Sequence, residues 1–347
     1  MLRKSLCCII AAALAAPLLA SAADPDAFAR CAEVEADADR LACYDQAAGR
    51  KAPAGDATGA PPAPTAGAPA GAPAGGYRDR DMHEVITRYW DLDRRDGLLR
   101  LGAYYPNYLL PVRWTDRPND SPSTPTQPPA GPFNLDAVEA KFQISVKAKV
   151  GEQIFGGPDL WLAYTQQSNW QVYNAADSRP FRETDYQPEA ILTFPLASRA
   201  LGFDLRYVNI GFNHQSNGRA DPLSRGWNRV YAALGLERGD LALQLRPWVR
   251  IPEPAAKDDN PDIGNYLGPG DVIAVYRVGG HQFILTGRYN FRFGGDAKGA
   301  AQLEWMFPLV NRLKGYVQVF TGYGDSLIDY NWRQTTVGVG VSLADWL

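Results

Sequence analysis

Gly211-Phe-Asn-His-Gln-Ser-Asn-Gly-Arg-Ala-Asp-Pro-Leu-Ser-Arg-Gly-Trp-Asn-Arg229 is a polar loop caught between two strands that otherwise read as lipid-facing. Steps of two backwards from Ser216 reach His214, Phe212, Ile210 and Val208, which share one side of an extended strand. The opposite parity, Tyr207, Asn209, Gly211, Asn213 and Gln215, suits a polar interior. Beyond the loop, Val230, Ala232, Leu234 and Leu236 form the apolar parity of the next strand, and Asn228 belongs to the same set. His214, Ser216 and Asn228 therefore interrupt faces that should be greasy.

A lone His or Ser on such a face is most simply a strand end reaching water. The trio has a sharper reading, because a hydroxyl, an imidazole and a carboxamide are the nucleophile, base and orienter of a hydrolytic triad. Residues two apart on a strand lie about 6.5 to 7 Å apart along the chain, within rotamer reach of one another. Asn228 on the neighbouring strand can accept the other imidazole N–H and fix the tautomer. A neutral orienter also avoids placing a carboxylate beside hydrocarbon, where an ionised group is costly.

The chain has 347 residues, ample for one large domain and an appendage, and its net charge of −3 leaves no nucleic-acid footprint. Residues 1–22 read as an export signal: Arg3 and Lys4, a mostly apolar run from Leu6 to Ala20, and Ala20-Ser-Ala22 as a small-residue cleavage site. Cys7 and Cys8 lie inside it, away from the cleavage point, which speaks against a lipoprotein. Residues 23–50 read as a small helical periplasmic segment. Its Cys31 and Cys43 read as one disulfide in an exported chain, with two free thiols as the alternative. Residues 51–76 are nearly all Ala, Pro and Gly, a linker composition that cannot bury a core. Residues 77–347 are the main domain, entered through a charged stretch, Arg78 to Asp96, that suits a short helix.

No run after the signal is long and apolar enough for a transmembrane helix, so only a barrel could span a membrane. Period-two alternation fills the rest. Phe142, Ile144, Val146, Ala148 and Val150 alternate with polar neighbours, as do Leu241, Leu243, Leu245, Pro247 and Val249, and Thr335, Val337, Val339, Val341 and Leu343. Such segments predict an all-β, antiparallel transmembrane β-barrel of about twelve strands, near 98–108, 140–150, 158–166, 188–197, 204–216, 228–237, 240–251, 271–279, 281–292, 300–307, 313–323 and 334–343. A water-soluble β-sandwich is the competing fold. Long connections at 109–139, 167–187, 217–227 and 252–270 alternate with tight turns at Glu237-Arg-Gly-Asp240 and Gly279-Gly280. Both termini should then be periplasmic, with the long loops outside. Bulky polar interior residues such as Lys147, Lys149, Gln244, Arg246 and Arg250 predict a plugged barrel rather than an open pore. The fifth strand runs outward, so the trio should sit on the outer wall near the outer leaflet, where a lipid ester can reach it. The other histidines, His83 before the barrel and His281 beside a periplasmic turn, compete poorly.

Asn213-His-Gln-Ser-Asn-Gly-Arg219, Asp221-Pro-Leu-Ser-Arg225 and Trp227-Asn-Arg229 closely resemble the signature of the bacterial outer membrane phospholipase A family. Ser178-Arg-Pro-Phe-Arg-Glu-Thr184, Asp258-Asp-Asn-Pro-Asp262 and Gly322-Tyr-Gly-Asp-Ser-Leu-Ile-Asp-Tyr330 extend the match in order over roughly residues 80 to 347. The resemblance implies a twelve-stranded barrel that uses Ca²⁺ to hydrolyse acyl esters of phospholipids and lysophospholipids. Ser216 would be the nucleophile, His214 the base and Asn228 the orienter, in agreement with the parity argument. It further implies an oxyanion hole at the Gly218 N–H with a calcium-polarised water. Calcium ligands would be the Arg219 carbonyl, the Ser224 hydroxyl and, from a second subunit, Ser178; a second calcium position, used by the monomer, would involve Asp259 and Asp221. Oxygen donors suit that hard cation. Without the resemblance, Asp221, Asp258, Asp259 and Asp262 read equally well as solvated loop carboxylates.

The resemblance also implies a chain active as a homodimer and dormant as a monomer. Gln166 shares a lipid-facing parity with Leu160, Leu162 and Tyr164 and matches the family's interface glutamine; a headgroup-level Gln satisfied by water is the alternative. Residues 24 to 76 lie outside the resemblance and suit a periplasmic tether or partner-binding module. The chain ends Asp345-Trp-Leu347, where Trp346 stands in for the terminal aromatic that barrels often carry. The reading from a different class is a non-enzymatic outer-membrane barrel for transport or adhesion, which leaves the trio on the lipid face without a purpose.

Overall fold

The computed structural model describes residues 30–32, 34, 37–47, 82–310 and 313–343. The export signal, the Ala/Pro/Gly linker and Trp346 lie outside the described residues. The chain divides into two units, Met1–Gly71 and Ala72–Leu347. In the first, helix α1 spans Asp37–Ala47 and a disulfide joins Cys31 to Cys43 with their Cα atoms 5.5 Å apart.

The second unit is a barrel. Its strands are β1 (Leu101–Ala103), β2 (Tyr108–Thr115), β3 (Val138–Gly151), β4 (Asp159–Trp170), β5 (Phe181–Ala200), β6 (Phe203–Ser216) and β7 (Gly226–Arg238). They continue with β8 (Leu241–Ile251), β9 (Gly270–Val278), β10 (His281–Tyr289), β11 (Gly299–Val310), β12 (Leu313–Tyr323) and β13 (Arg333–Ser342). Strands β2 to β13 pair antiparallel in sequence order, and β13 pairs back to β2. Closure leaves no sheet edge, which is what a strand needs in hydrocarbon, where an unpaired N–H or C=O has no water to turn to. No helix among the described residues is long and apolar enough to cross a membrane.

The side-chain alternation follows the pleat. On β6, Ile210 and Phe212 are 41% and 44% exposed, whereas Tyr207, Asn209 and Asn213 between them are at most 4% exposed. The wall is thus apolar outside and polar inside, as a transmembrane barrel requires. The interior is filled rather than hollow. Arg113 pairs with Glu139 at 2.7 Å, Lys141 with Asp325 at 3.2 Å and Arg246 with Asp271 at 2.5 Å. Helix α2 (Met82–Trp90) carries Met82, Ile86 and Trp90 at four-residue spacing, one apolar stripe that is buried among interior side chains. Trp90 meets Trp161 edge-on, with ring centroids 5.7 Å apart. The Lys147 ammonium lies 3.1 Å from the Tyr89 ring centroid and 3.5 Å from that of Trp90, so π faces take the place of water around it.

Long connections (116–137, 171–180, 217–225, 252–269, 290–298 and 324–332) gather at one end, and short ones at the other. Leu201-Gly202 and Gly279-Gly280 have positive φ at both central residues (53° and 81°, 53° and 79°), the hairpin conformation that matches strand twist. The loop 252–269 carries a short helix, α3 (Ile263–Leu267).

The first barrel strand corrects the sequence expectation. It was expected near 98–108, but only β1 pairs there, and the main strand is β2, inside what reads as a loop. Pro106 cannot donate to a ladder, and Asn107 substitutes for it: its side-chain oxygen accepts from the Ser145 N–H at 2.7 Å and its amide donates to the Ser145 carbonyl at 3.0 Å. A side-chain bridge thus carries the strand across the gap between β1 and β2. Pro111 then interrupts β2 on both flanks, where the register shifts between Leu110 and Arg113 and between Val339 and Val341.

Candidate active site

Strands β6 and β7 pair so that His214 faces Asn228 directly, and Ser216 lies two residues further along β6 on the same outer face. His214 Nδ1 is 2.8 Å from Asn228 Oδ1, and His214 Nε2 is 3.0 Å from Ser216 Oγ. Asn228 Oδ1 can only accept, so Nδ1 carries the proton and Nε2 presents its lone pair to the Ser216 hydroxyl. That polarity is the one a base needs if it is to take a proton from a nucleophile. All three side chains are half-buried, between the exposed apolar wall and the loops above it.

The loop after Ser216 is shaped by Asn217, a buried side chain. Its amide donates to Glu183 Oε1 at 2.9 Å and to the Leu223 carbonyl at 2.8 Å, while its oxygen accepts from the Arg225 N–H at 2.9 Å. Gly218 follows at φ +63°, a left-handed conformation, and a Cβ there would lie 3.3 Å from the Tyr186 ring. Glycine therefore serves twice, for the turn and for the close approach. The Arg219 guanidinium donates to the Arg182 carbonyl at 2.8 Å, pinning the same loop to β5.

Two carboxylates and a hydroxyl from two loops, Asp221 and Ser224 in 217–225 and Asp259 in 252–269, meet beside this turn. Gln127 Nε2 donates to Asp221 Oδ1 at 3.1 Å and to Asp259 Oδ1 at 3.0 Å, and the Ser224 hydroxyl donates to Asp259 Oδ2 at 2.6 Å. Thr124 and Thr126 fix the loop 116–137 to the backbone of Asp259 and Asp258, at 2.7 and 2.9 Å. Among the described residues no three His, Cys, Asp or Glu side chains cluster as metal ligands. A cation here would draw on hydroxyl, amide and carbonyl oxygens as well as the two carboxylates, a donor set suited to calcium.

The loop 324–332 supports the others from the barrel side. Arg182 pairs with Asp329 at 2.7 Å, and Glu183 Oε1 accepts from the Ile328 N–H at 3.1 Å as well as from Asn217. Burial, joined by the Asp262 carboxylate, pushes the Tyr330 hydroxyl well above its usual range, so it stays protonated and donates to Asp262 Oδ1 at 2.5 Å. The loops carrying Asn217 and Asp259 are therefore held to a common base.

Of the residues singled out in the sequence, Ser216, His214 and Asn228 are joined by hydrogen bonds, Gly218 adjoins them, and Asp221, Ser224 and Asp259 converge. Arg219 lies in the same loop. Ser178 stands apart, exposed in the β4–β5 loop at φ +60°, with its N–H donating to the Ala175 carbonyl at 3.3 Å. Gln166 is on the outer face of β4, where it accepts from the Tyr164 hydroxyl at 3.0 Å and donates to Ser168 at 3.3 Å. The disulfide Cys31–Cys43 belongs to the other unit.

Sequence reasoning missed two participants. Gln127 sits in a Pro-rich stretch that carries no periodic signal. Glu253, whose carboxylate accepts from Asn228 Nδ2 at 2.9 Å, continues the outward parity Val249, Ile251, Glu253, a polar residue ending an apolar face like the one that drew attention to Ser216.

Comparison with known proteins identifies the family. The family model described as Phospholipase A1 matches residues 86–343. The putative phospholipase A1 of Neisseria meningitidis serogroup B is 42% identical over 275 residues, covering 76% of this chain and 71% of the relative. The solved outer membrane phospholipase A of Escherichia coli superposes with a TM-score of 0.65 at 37% identity, over 72% of this chain and 100% of that one. A Salmonella typhi outer membrane phospholipase, solved as a dimer with bound calcium, gives 0.66 at 37% identity over 75% of this chain and 97% of its own. With the barrel, its outward-facing polar trio and a family match over most of the chain all in agreement, this protein belongs to the phospholipase A1 family of outer membrane phospholipases.

Proposed function

We propose that this phospholipase resides in the outer membrane, with its termini in the periplasm and its site toward the outer leaflet. There it hydrolyses acyl esters of phospholipids and lysophospholipids in a calcium-dependent reaction and becomes active on dimerisation. The observation that carries the reading is the hydrogen-bonded series Asn228, His214 and Ser216 on the lipid-exposed wall. A soluble ester has no reason to be met there, whereas an acyl chain lying along Phe212 and Ile210 brings its carbonyl to Ser216.

In this scheme Ser216 Oγ attacks the acyl carbonyl carbon as its proton passes to His214 Nε2, and Asn228 Oδ1 holds the Nδ1–H of the resulting imidazolium. The Gly218 N–H faces the oxyanion of the tetrahedral intermediate. His214 then returns the proton to the departing glycerol oxygen, leaving an acyl-serine. Water enters by the same base, releasing the fatty acid and restoring the Ser216 hydroxyl.

The Arg219 carbonyl, the Ser224 hydroxyl and Ser178 of the partner subunit would hold calcium in the dimer, and Asp259 with Asp221 would hold it at a second position used by the monomer. Bound calcium would supply positive charge near the developing oxyanion. Fatty-acid release from phospholipid in mixed micelles is expected with calcium and to fall about 100-fold, near 2.7 kcal/mol, in chelator. Release unchanged by chelation would remove the metal from the reaction.

Gln166 is assigned to the dimer interface because a carboxamide on a lipid-facing wall gains from a partner across it. Gln166→Ala is expected to weaken the dimer by about 1 kcal/mol, roughly fivefold, without altering barrel unfolding. Identical cross-linking yields for the two proteins would count against this interface.

A further inference from the structure

We infer that Glu253 is a positioning residue for hydrolysis, acting through Asn228 to set the tautomer of His214. The inference rests on the proposed roles of Ser216, His214 and Asn228. A carboxamide orienter has an ambiguity that a carboxylate lacks, because its two ends have nearly the same shape and opposite hydrogen-bonding character. With Oδ1 toward His214, Nδ1 must be protonated and Nε2 is free to accept from Ser216. With the amide reversed, an N–H faces Nδ1, the ring proton is driven to Nε2, and no lone pair meets the Ser216 hydroxyl.

The choice between these states falls to whatever holds the far end of the Asn228 amide. That group is Glu253, whose Oε1 lies 2.9 Å from Asn228 Nδ2. An ionised carboxylate is acceptor-only, so it tolerates the amide nitrogen and repels the amide oxygen. Its presence therefore selects the orientation with Oδ1 on the imidazole, 2.8 Å from Nδ1. The hydrogen-bonded series then has four members, Glu253, Asn228, His214 and Ser216, each oriented by the one before.

Local sequence holds the carboxylate in place. Asn228 is in register with Ile251 on β8, and Glu253 is two residues on, on the same face. Pro252 and Pro254 flank it; a residue preceding proline is confined to extended conformations, so the chain keeps its strand direction past the end of the ladder. The carboxylate is half-buried. Among the described residues its only hydrogen bond is to Asn228.

The test compares Glu253→Ala and Glu253→Gln with the unaltered protein, each alone and with Asn228→Ala, by fatty-acid release from mixed micelles at saturating calcium. Glu253→Ala is expected to lower kcat about tenfold with KM unchanged, since it removes an orienting bond and no substrate contact. Glu253→Gln can accept through Oε1 but can equally turn its own N–H toward Asn228, so it should recover only part of that loss. In the Asn228→Ala background, Glu253→Ala should cost nothing further, because the group it orients is gone.

A full kcat in Glu253→Ala, or an equal loss with and without the Asn228 side chain, would overturn the inference. The ¹⁵N resonances of the His214 ring in micelles report the tautomer without relying on activity. A shift away from the Nδ1-protonated form in Glu253→Ala supports the role, and an unchanged tautomer refutes it. Release that survived Ser216→Ala would instead reject the proposed roles of the triad, while the ring resonances would still decide what Glu253 does.

Discussion

Ser216→Ala is expected to cut fatty-acid release by about 10³- to 10⁶-fold while the barrel refolds and unfolds as before. The hydroxyl is half-buried on the outer wall at the end of β6 and bonds only to His214 Nε2 among the described residues, so its removal leaves no interior charge unpaired. His214→Ala should cost nearly as much, and the double variant little more than either, because a nucleophile and its base act as one unit. Fatty-acid release by a folded Ser216→Ala barrel within tenfold of the unaltered protein would exclude an acyl-serine route.

Why these residues could be found without coordinates is a matter of period. In a membrane barrel the pleat assigns every second residue to hydrocarbon, so Val208, Ile210 and Phe212 make an environment in which His214 and Ser216 stand out. Asn228 was reachable by the same logic because it shares the outward parity of Val230, Ala232 and Leu234 on β7. Two of the short turns were legible for the equally local reason that Gly residues at positive φ mark hairpins.

What was not legible depends on contacts between distant segments. Gln127 gains its place from Asp221 and Asp259, roughly a hundred residues away or more in the chain, and a Pro-rich stretch gives no sign of them. Strand β2 was hidden because Pro106 and Pro111 break its alternation, and the Asn107 bridge to Ser145 that compensates is a side-chain contact. The calcium-ligand candidates came from resemblance alone; spacing could not distinguish Asp221 and Asp259 from solvated loop carboxylates. Glu253 was within reach of the parity argument, but Pro252 and Pro254 made the segment read as loop.

Asp325→Ala is expected to destabilise the barrel by about 3 to 5 kcal/mol, a loss that should appear as an earlier midpoint in denaturant unfolding from lipid or detergent. The Asp325 side chain is fully buried and contacts both Arg113 and Lys141, the latter at 3.2 Å. Removing it leaves Arg113 with Glu139, but leaves Lys141 a buried cation without the carboxylate it faces. Burial on its own would favour the neutral acid; Arg113, Lys141 and Arg182 outweigh it and hold the carboxyl well below the usual carboxylate range. A carboxyl whose folded pKa is lowered contributes its stability above the unfolded value, about 3.9, and loses it as pH falls through the folded value. The gap between the two proteins should therefore be complete at neutral pH and narrow below about pH 4. Asp325→Ala with Lys141→Met should recover part of the loss, since an apolar group of similar length needs no counter-charge. The same loop carries Asp329 to Arg182 and Ile328 to Glu183, and Glu183 holds Asn217 beside Ser216. Asp325→Ala should then lower kcat as well, through the loop that shapes the site. Equal unfolding midpoints at neutral pH would show that Lys141 does not need the carboxylate it faces and would overturn this account.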